Sequence, residues 1–316
     1  MKNCQLDVSV VIVNWNTRDV LRDCLASVYT NTKNIRFEVI VIDNASSDGS
    51  AEMVRGEFPH VILLMNPRNL GFATANNQGM SVANGRYVLL LNSDTILLDN
   101  AIEKTMAFAD SHVQAGIVGC RVLNPDKSLQ PTCFMFPSVL NMFLWATYLS
   151  RAFATSKFFG RERMIWWHRD DVREVDVATG CFMLVRSQAI EQVGLLDEQF
   201  FMYGEETDLC CRFKKAGWKI LFTPDAEIIH LGGASTRQIS SEMFQQYAKS
   251  MLLFFKKHKS WFSYRIACVL LALCFSLRAP FWLGKAICAK NTRDSNIQRA
   301  KDYTTGALRA LLGVWN

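Results

Sequence analysis

The segment from Gly85 to Asp94 constrains the fold more than any other part of the chain. Residues 87–91 form an unbroken apolar run, and the sequence becomes polar within one residue, at Asn92-Ser93-Asp94. Such a run is typical of a strand that is buried on both faces of a parallel sheet. Because open α/β sheets bind ligands beyond the carboxyl ends of their strands, we expect Asp94 to lie at a binding site. An Asx turn that caps the next helix is the alternative interpretation.

The region around this strand alternates between strand and helix patterns. Apolar residues at helical spacing predict helices between short apolar runs, which predict strands at residues 8–13, 37–42, 61–64, 87–91 and 116–120. Alternation with short connections indicates a doubly wound, mostly parallel α/β sheet. No strand is followed by Gly-x-Gly-x-x-Gly or Gly-Lys-Ser/Thr, which argues against a dinucleotide oxidoreductase and a P-loop enzyme.

The C-terminal part of the chain is strongly basic. Residues 249–316 contain twelve Lys and Arg against two Asp, a net charge of +10, so residues 1–248 carry −4 of the total of +6. Within it, residues 266–277 are apolar except for Ser276, whereas a spanning helix needs roughly 20 residues. Basic residues and tryptophans flank this segment. We therefore expect a helix in the interface of an anionic membrane, with no nucleic-acid partner; a helix packed on the sheet is the alternative.

The cysteines and the N-terminus bear on the compartment. The 10 cysteines show no Cys-x-x-Cys spacing and no paired framework, and the residues before the first strand are polar. These features predict reduced thiols and a cytosolic chain. Combined with the basic tail, they predict a peripheral or monotopic protein on the cytoplasmic face of the inner membrane.

Polar residues occur where a doubly wound sheet gathers its ligand contacts. Asp43, Asp94 and His230 each follow a predicted strand. A carboxylate such as Asp43 can accept a hydrogen bond from the imide N–H of uracil or thymine, although it also suits a turn cap. Asp94 and His230 are candidate ligands of a divalent cation, and one imidazole among oxygen ligands suits Mn²⁺ better than Ca²⁺. Taken singly, His230 is also explained as a structural histidine.

A helix predicted to begin near Glu205 carries the candidate general base. Asp208 and Arg212 stand four residues apart and are expected to pair on one face, which Glu205 shares. Glu206 is rotated away from this pair and lacks a basic partner at helical spacing. The helix N-terminus favours the charged form of Glu206, so the spacing favours Glu206 as the base.

Eight motifs resemble, in the same order, those of the family 2 glycosyltransferases. Four are similar to the family at large, at residues 10–16, 41–50, 69–79 and 91–95. Four are similar to its bacterial rhamnosyltransferase-like branch, at residues 179–186, 194–198, 201–212 and 230–235. The resemblance implies a GT-A fold with a catalytic domain at residues 1–236, a variable acceptor-side insertion at 121–175 and a tail at 237–316.

The same resemblance implies inverting transfer of a sugar from a nucleotide-diphosphate donor with a divalent metal, Mn²⁺ or Mg²⁺. It makes Asp94 the metal-binding member of an Asp-x-Asp-like motif and Glu206 the catalytic base. The residues expected to bind the nucleotide sugar are Val13, Asn14, Trp15, Asp43, Asn44, Asn69, Gly71, Asn76, Asn92 and Ser93.

Two positions depart from the family pattern. Asn92 replaces the first Asp of the Asp-x-Asp motif, which leaves one carboxylate there for the metal. The base position, often Asp, is Glu206, one methylene longer, so Asp208 is the alternative base.

The expected reaction moves a sugar, with rhamnose suggested by the branch, from a dTDP- or UDP-sugar to a hydroxyl of a polyprenyl-diphosphate-linked saccharide in cell-surface polysaccharide biosynthesis. A nucleotidyltransferase is one alternative, but its basic, glycine-rich loop is absent after the first strand. An inactive sugar-nucleotide-binding scaffold of a membrane assembly is the other.

Overall fold

The computed structural model describes residues 6–232, 240–288 and 292–313. The chain forms two compact units, one from Met1–Phe136 and Trp167–Gln238 and the other from Pro137–Trp166 and Ile239–Asn316. This division differs from the predicted one, in which residues 121–175 were an insertion of the catalytic domain. Residues 137–166 group with the C-terminal helices because Met142 packs into the same apolar cluster as Leu252 and Leu271.

The first unit contains the strands of the described residues and most of the short helices. The strands are β1 (Leu6–Asn14), β2 (Phe37–Asp43), β3 (Ile62–Met65), β4 (Gly85–Asn92), β5 (Thr95–Leu97), β6 (Ala115–Leu123), β7 (Cys133–Phe134), β8 (Arg173–Glu174), β9 (Val177–Ala178), β10 (Phe182–Arg186) and β11 (Lys219–His230). Its helices are α1 (Arg18–Thr30), α2 (Ser50–Glu57), α3 (Phe72–Val82), α4 (Ala101–Ser111), α7 (Ser187–Val193) and α8 (Glu205–Lys215). The second unit contains α5 (Val139–Ala146), α6 (Leu149–Ala152), α9 (Ser240–His258), α10 (Trp261–Cys288) and α11 (Arg293–Leu312).

The central sheet confirms the predicted α/β fold. Its strand order is β3-β2-β1-β4-β10-β6-β11-β5, with β8 paired to β11 off this path. β1 pairs in parallel with β2 and β4, and β3 pairs in parallel with β2. β10 runs antiparallel between β4 and β6, and β5 and β8 run antiparallel to β11. Because β11 also pairs in parallel with β6, six of the nine strands run in the same direction, and the sheet is mostly parallel.

The sheet is covered on both faces, as a doubly wound fold requires. Val10 and Ile12 of β1 are fully buried in the same cluster as Leu21 and Leu25 of α1. On the other face α3 approaches closely through Gly79, where an added Cβ would lie 2.5 Å from Val11. Alternate residues of β1 thus pack against different helices, which explains why the strand sequence is apolar without interruption.

Two elements are longer than their apolar runs in the sequence. The runs at residues 219–223 and 228–230 belong to one strand, β11, whose pairing with β6 shifts register between Thr223 and Glu227. The apolar segment 266–277 lies inside α10, which has 28 residues and contains Pro280. The extension includes Arg278 because its guanidinium lies over the rings of Tyr148 (4.7 Å) and Trp145 (5.2 Å) within the second unit.

Among the described residues, α10 is the one helix whose length and composition would allow it to cross a membrane. Its apolar face is divided between burial and exposure. Ala267, Cys268 and Leu271 are buried in the second unit. Val269, Leu273, Leu277 and Phe281 follow one another at four-residue steps and are 56%, 40%, 50% and 57% exposed.

Candidate active site

The carboxyl ends of β1, β2 and β4 lie side by side. Asn14 pairs in register with Asp43, and Val13 pairs with Asn92. Val13, Trp15 and Asn92 are only partly buried, so this edge of the sheet keeps accessible surface. The polar residues that end these strands are therefore brought together, as the strand pattern predicted.

Asn14 and Asp43 connect the loops at this edge. Asn14 Nδ2 donates to Asp43 Oδ1 (3.2 Å) and Ser46 Oγ (3.1 Å), and Asp43 Oδ2 accepts from the Ser46 amide (3.0 Å). Thr17 Oγ1 donates to Asn14 Oδ1 (2.6 Å) and lies 3.0 Å from Ser93 Oγ. Asp43 is 2% exposed. Its first role is therefore to hold the loop, although carboxylate oxygens have capacity for further hydrogen bonds.

Asn44 holds the loop that contains Asn69 and Gly71. Its Nδ2 donates to Asn69 Oδ1 (2.7 Å), and its Oδ1 accepts from the Leu70 amide (3.0 Å). Gly71 has a φ of +86°, and an added Cβ would lie 2.5 Å from the Phe201 carbonyl oxygen. Only glycine fits this position, where the loop passes close to the segment before α8.

Asn76 and Asn77 are both buried in α3. Asn76 Nδ2 donates to the Phe72 carbonyl of the same helix (2.9 Å), so this predicted nucleotide contact is used inside α3. Asn77 exchanges two hydrogen bonds with the Leu196 backbone (2.9 and 3.0 Å) and donates to Glu198 Oε1 (3.0 Å). Asn77 is not among the predicted site residues, although two adjacent asparagines inside a helix are themselves a sign of specific partners.

Asp94 and His230 are adjacent, as predicted for two ligands of one cation. β5 pairs with the end of β11, and the Leu231 amide donates to the Asp94 carbonyl (2.9 Å). His230 Nε2 lies 3.1 Å from Asp94 Oδ1 and 3.3 Å from Asn92 Nδ2. Gly233 to Ser235, which end the motif that begins at His230, lie outside the described residues.

The donor set fits a divalent cation that shares its coordination with substrate. The described residues contain no cluster of three or more His, Cys, Asp and Glu side chains. Asp94 and His230 would supply one oxygen and one nitrogen, and phosphate oxygens and water suit the other positions of Mg²⁺ or Mn²⁺. The second nitrogen of His230, Nδ1, lies 2.6 Å from Gln130 Oε1, and neither a motif nor a strand pattern predicts this contact.

Glu205 and Glu206 open α8. Glu205 is 4% exposed, and its Oε2 has no hydrogen-bond partner. Burial raises the pKa of Glu205 well above its usual range, and the charge of Glu206 adds to the effect. Burial also raises the pKa of Glu206, although Glu206 Oε2 accepts from the Gly204 amide (3.2 Å). The backbone amides at the start of α8 favour the charged form of Glu206, as expected, but the cost of burying the carboxylate is the larger effect.

Asp208 forms the predicted pair with Arg212. Arg212 Nε donates to Asp208 Oδ2 at 2.7 Å, and the Asp208 side chain is fully buried. Arg212 also donates to the carbonyl oxygens of Val193 (3.2 Å) and Leu195 (2.7 Å). Asp208 therefore positions an arginine that ties α8 to the preceding loop, which is a structural role.

Cys181 connects the two halves of the site. The Asn92 amide donates to the Cys181 carbonyl (3.1 Å) where β10 begins beside β4. Burial raises the pKa of the Cys181 thiol to about 12, and the negative charges of Asp94 and Glu206 both contribute. Helix α8, whose first turn contains Glu206, packs against β9, which ends three residues before Cys181. The candidate metal ligand and the candidate base therefore lie on neighbouring elements of the first unit.

The chain is similar to several glycosyltransferases in sequence. Residues 5–252 match the model of the glycosyltransferase like family 2. The N-acetylglucosaminyl-diphospho-decaprenol L-rhamnosyltransferase of Mycobacterium tuberculosis is 28% identical over 272 residues, which cover 80% of this chain and 85% of the relative. The rhamnosyltransferase WbbL of Escherichia coli is 26% identical over 252 residues, which cover 77% of this chain and 90% of the relative.

The fold is also found in solved structures. The mannosyltransferase PcManGT from Pyrobaculum calidifontis, in complex with GDP-Man and Mn²⁺, superposes with a TM-score of 0.55 and 16% identity over 100% of this chain and 91% of that one. Residues 1–349 of Staphylococcus aureus TarS superpose with a TM-score of 0.51 and 13% identity, over 98% of this chain and 93% of that one. The expected GT-A fold is confirmed. Because the family model covers most of the chain and the strand ends carry the polar residues expected of it, this protein is a glycosyltransferase of family 2.

Proposed function

We propose that this protein is an inverting, metal-dependent glycosyltransferase that uses a dTDP- or UDP-sugar. The observation that carries the proposal is the contact of Asp94 Oδ1 with His230 Nε2, 3.1 Å apart, while α8, which contains Glu206, packs against the neighbouring β9. A single displacement requires a group that stabilises the leaving diphosphate, here Asp94 through the cation, and a base that deprotonates the acceptor, here Glu206.

Glu206 acts as the general base in this proposal. It removes the proton from an acceptor hydroxyl as that oxygen attacks the anomeric carbon from the face opposite the diphosphate. Burial raises the pKa of Glu206, which strengthens it as a base towards a hydroxyl group. Glu206 is partly exposed, whereas Glu205 is buried, so Glu206 is the member of the pair that an acceptor can reach.

Asp94 and His230 hold the divalent cation, Mn²⁺ or Mg²⁺. When bound, this ion neutralises the charge that develops on the departing diphosphate. The loops that receive the nucleotide are ordered by residues at the strand ends and in the loops beside them: Asn14, Asp43, Asn44, Asn69, Gly71, Asn92 and Ser93. In this role Asn14, Asp43 and Asn44 act mainly through their contacts with neighbouring loops.

The relatives narrow the substrate class. Two of them are named rhamnosyltransferases, and one is named for an N-acetylglucosaminyl-diphospho-decaprenol acceptor. We propose an L-rhamnosyl donor, with dTDP-rhamnose as its form, and a polyprenyl-diphosphate-linked saccharide acceptor in the biosynthesis of a cell-surface polysaccharide.

The second unit suits a membrane surface, on the cytoplasmic face of the inner membrane. Val269, Leu273, Leu277 and Phe281 form an exposed apolar stripe on α10. Arg278 does not interrupt this stripe, because its guanidinium faces the rings of Trp145, Tyr148 and Phe244 instead. Each basic residue of the tail near anionic lipid adds about 1 kcal/mol to membrane binding.

One assay tests the proposal against an inactive scaffold. The purified chain is mixed with dTDP-rhamnose or other dTDP- and UDP-sugars, with Mn²⁺ or EDTA, and release of the nucleoside diphosphate is measured with a polyprenyl-diphosphate-linked N-acetylglucosamine. Metal-dependent release with one donor and transfer of its sugar are expected. Binding of the donors without any turnover would favour the scaffold.

A further inference from the structure

We propose that Gln130 is a positioning residue that holds His230 in one tautomer, with Nδ1 protonated and the Nε2 lone pair directed towards Asp94. The inference rests on the proposed metal site and adds a residue that neither the motifs nor the strand pattern identify. Gln130 follows the turn after β6. Its backbone N–H donates to the Val122 carbonyl (2.9 Å), which holds the backbone of Gln130 in place.

The orientation of the Gln130 side-chain amide follows from a backbone acceptor. Gln130 Nε2 lies 3.2 Å from the His230 carbonyl oxygen, which can only accept, and 2.8 Å from Asn124 Oδ1. The reversed amide would place two acceptor oxygens against each other at the His230 carbonyl. Asn124 is oriented in the same way, because its Nδ2 donates to Ser128 Oγ (2.9 Å) and faces the Leu129 carbonyl (3.5 Å).

With this orientation Gln130 presents Oε1 to the imidazole. Oε1 lies 2.6 Å from His230 Nδ1, so Nδ1 must be the donor. A neutral imidazole carries a single N–H, which leaves a lone pair on Nε2. Asn92 Nδ2, 3.3 Å away, donates towards that lone pair.

His230 Nε2 and Asp94 Oδ1 lie 3.1 Å apart. Because Nδ1 donates to Gln130, the positive charge that stabilises this contact is supplied by a proton on Nε2 or by a cation that takes its place. A divalent cation would fit this position, and metal-binding histidines are commonly oriented by a hydrogen bond from their other nitrogen. Gln130 therefore prepares His230 to bind a metal before the metal arrives.

The first test is spectroscopic and needs no activity. In metal-free, full-length protein with ¹⁵N-labelled histidine, at a pH where His230 is neutral, the ring ¹⁵N shifts should show a proton on Nδ1 of His230. Gln130→Leu removes the acceptor and should shift the tautomer population towards Nε2–H. A wild-type His230 that carries its proton on Nε2 would overturn the proposal.

The second test measures Mn²⁺ binding by electron paramagnetic resonance, with and without UDP. Gln130→Leu should weaken binding by about 10–100-fold. Gln130→Glu keeps an acceptor at Nδ1 but sets its second oxygen against the His230 carbonyl, so its Mn²⁺ affinity should lie between those of the wild type and Gln130→Leu. Gln188→Leu on the exposed side of α7 is the matched control. If Gln130→Leu binds Mn²⁺ with wild-type affinity, the role of Gln130 is contradicted but the metal site is not. No Mn²⁺ binding by the wild type, even with UDP, contradicts the metal site itself.

Discussion

At the scale of single residues, the pattern of strand ends predicted that Asp94 and His230 lie together, but it gave no sign of Gln130, which contacts His230. A polar residue after a buried strand has a predictable place, because parallel strands end at one edge of the sheet. Gln130 lies in a turn without periodic sequence, and its contact with His230 joins residues 100 positions apart. Such a contact is a product of tertiary packing and leaves no local signal.

Asp94 is expected to be essential for metal-dependent binding. Asp94→Ala should lower turnover by about 10²-fold or more, because a metal supplies several kcal/mol of stabilisation to the leaving group. Mn²⁺ titration in the presence of UDP should show weakened binding. Asp99→Ala, which removes an exposed carboxylate paired with Lys104, is the control and should behave as wild type. Full activity of Asp94→Ala in excess chelator would contradict the assignment.

Glu205 is expected to make stability depend on pH. Its pKa is raised on folding, so the folded state binds the proton more tightly than the unfolded state. The free energy of unfolding therefore falls as pH rises from the ordinary glutamate value towards the raised one. Glu205→Gln stays neutral, and its stability relative to wild type should increase with pH across that window.

Urea unfolding at several pH values measures this difference. The exposed Glu191→Gln on α7 is the control and should follow the wild type throughout. A Glu205→Gln variant that loses stability relative to wild type as pH rises would show that Glu205 is ionised and paired in the folded protein.

At the scale of elements, periodicity predicted which strands and helices exist better than how they are arranged. The five expected strands are present as β1, β2, β3, β4 and β6. Apolar patterning carries no information on direction, so the antiparallel insertion of β10 between β4 and β6 could not be foreseen. The extent of α10 could not be read from the apolar segment 266–277, because Arg278 follows it and the aromatic rings that cover its guanidinium come from other helices of the second unit.

The Asp208–Arg212 pair is expected to stabilise α8 and the loop before it. Asp208→Asn should lower the free energy of unfolding by about 1.5–3 kcal/mol, the usual contribution of a hydrogen bond to a charged group. Arg212 would lose the charge of its buried acceptor while keeping its bonds to Val193 and Leu195. Chemical denaturation measures the loss. An Asp208→Asn variant as stable as wild type would exclude the structural role.

At the scale of the whole molecule, the second unit is expected to bind anionic membranes. Replacing Val269, Leu273 and Leu277 by Ser should reduce co-sedimentation with phosphatidylglycerol-containing vesicles without unfolding the protein, since these side chains are exposed. Val113→Ser, at an exposed apolar residue of the first unit, is the control. Equal binding by the triple variant and the wild type would contradict the role of this stripe. Truncation before Lys249 is a poorer test, because it removes the helices that cover Met142.

The central claim is that Glu206 is the base of a metal-dependent sugar transfer, and single-turnover kinetics tests it most directly. The experiment compares the wild type with Glu206→Gln, Asp208→Asn and the exposed control Glu191→Gln. Each protein is loaded with Mn²⁺ and with the dTDP- or UDP-sugar that the wild type uses, and sugar transfer is followed after the acceptor is added. Glu206→Gln should fold and bind donor as wild type does but transfer about 10²–10⁴-fold more slowly. Transfer at the wild-type rate by Glu206→Gln, with a folded but inactive Asp208→Asn, would contradict the account.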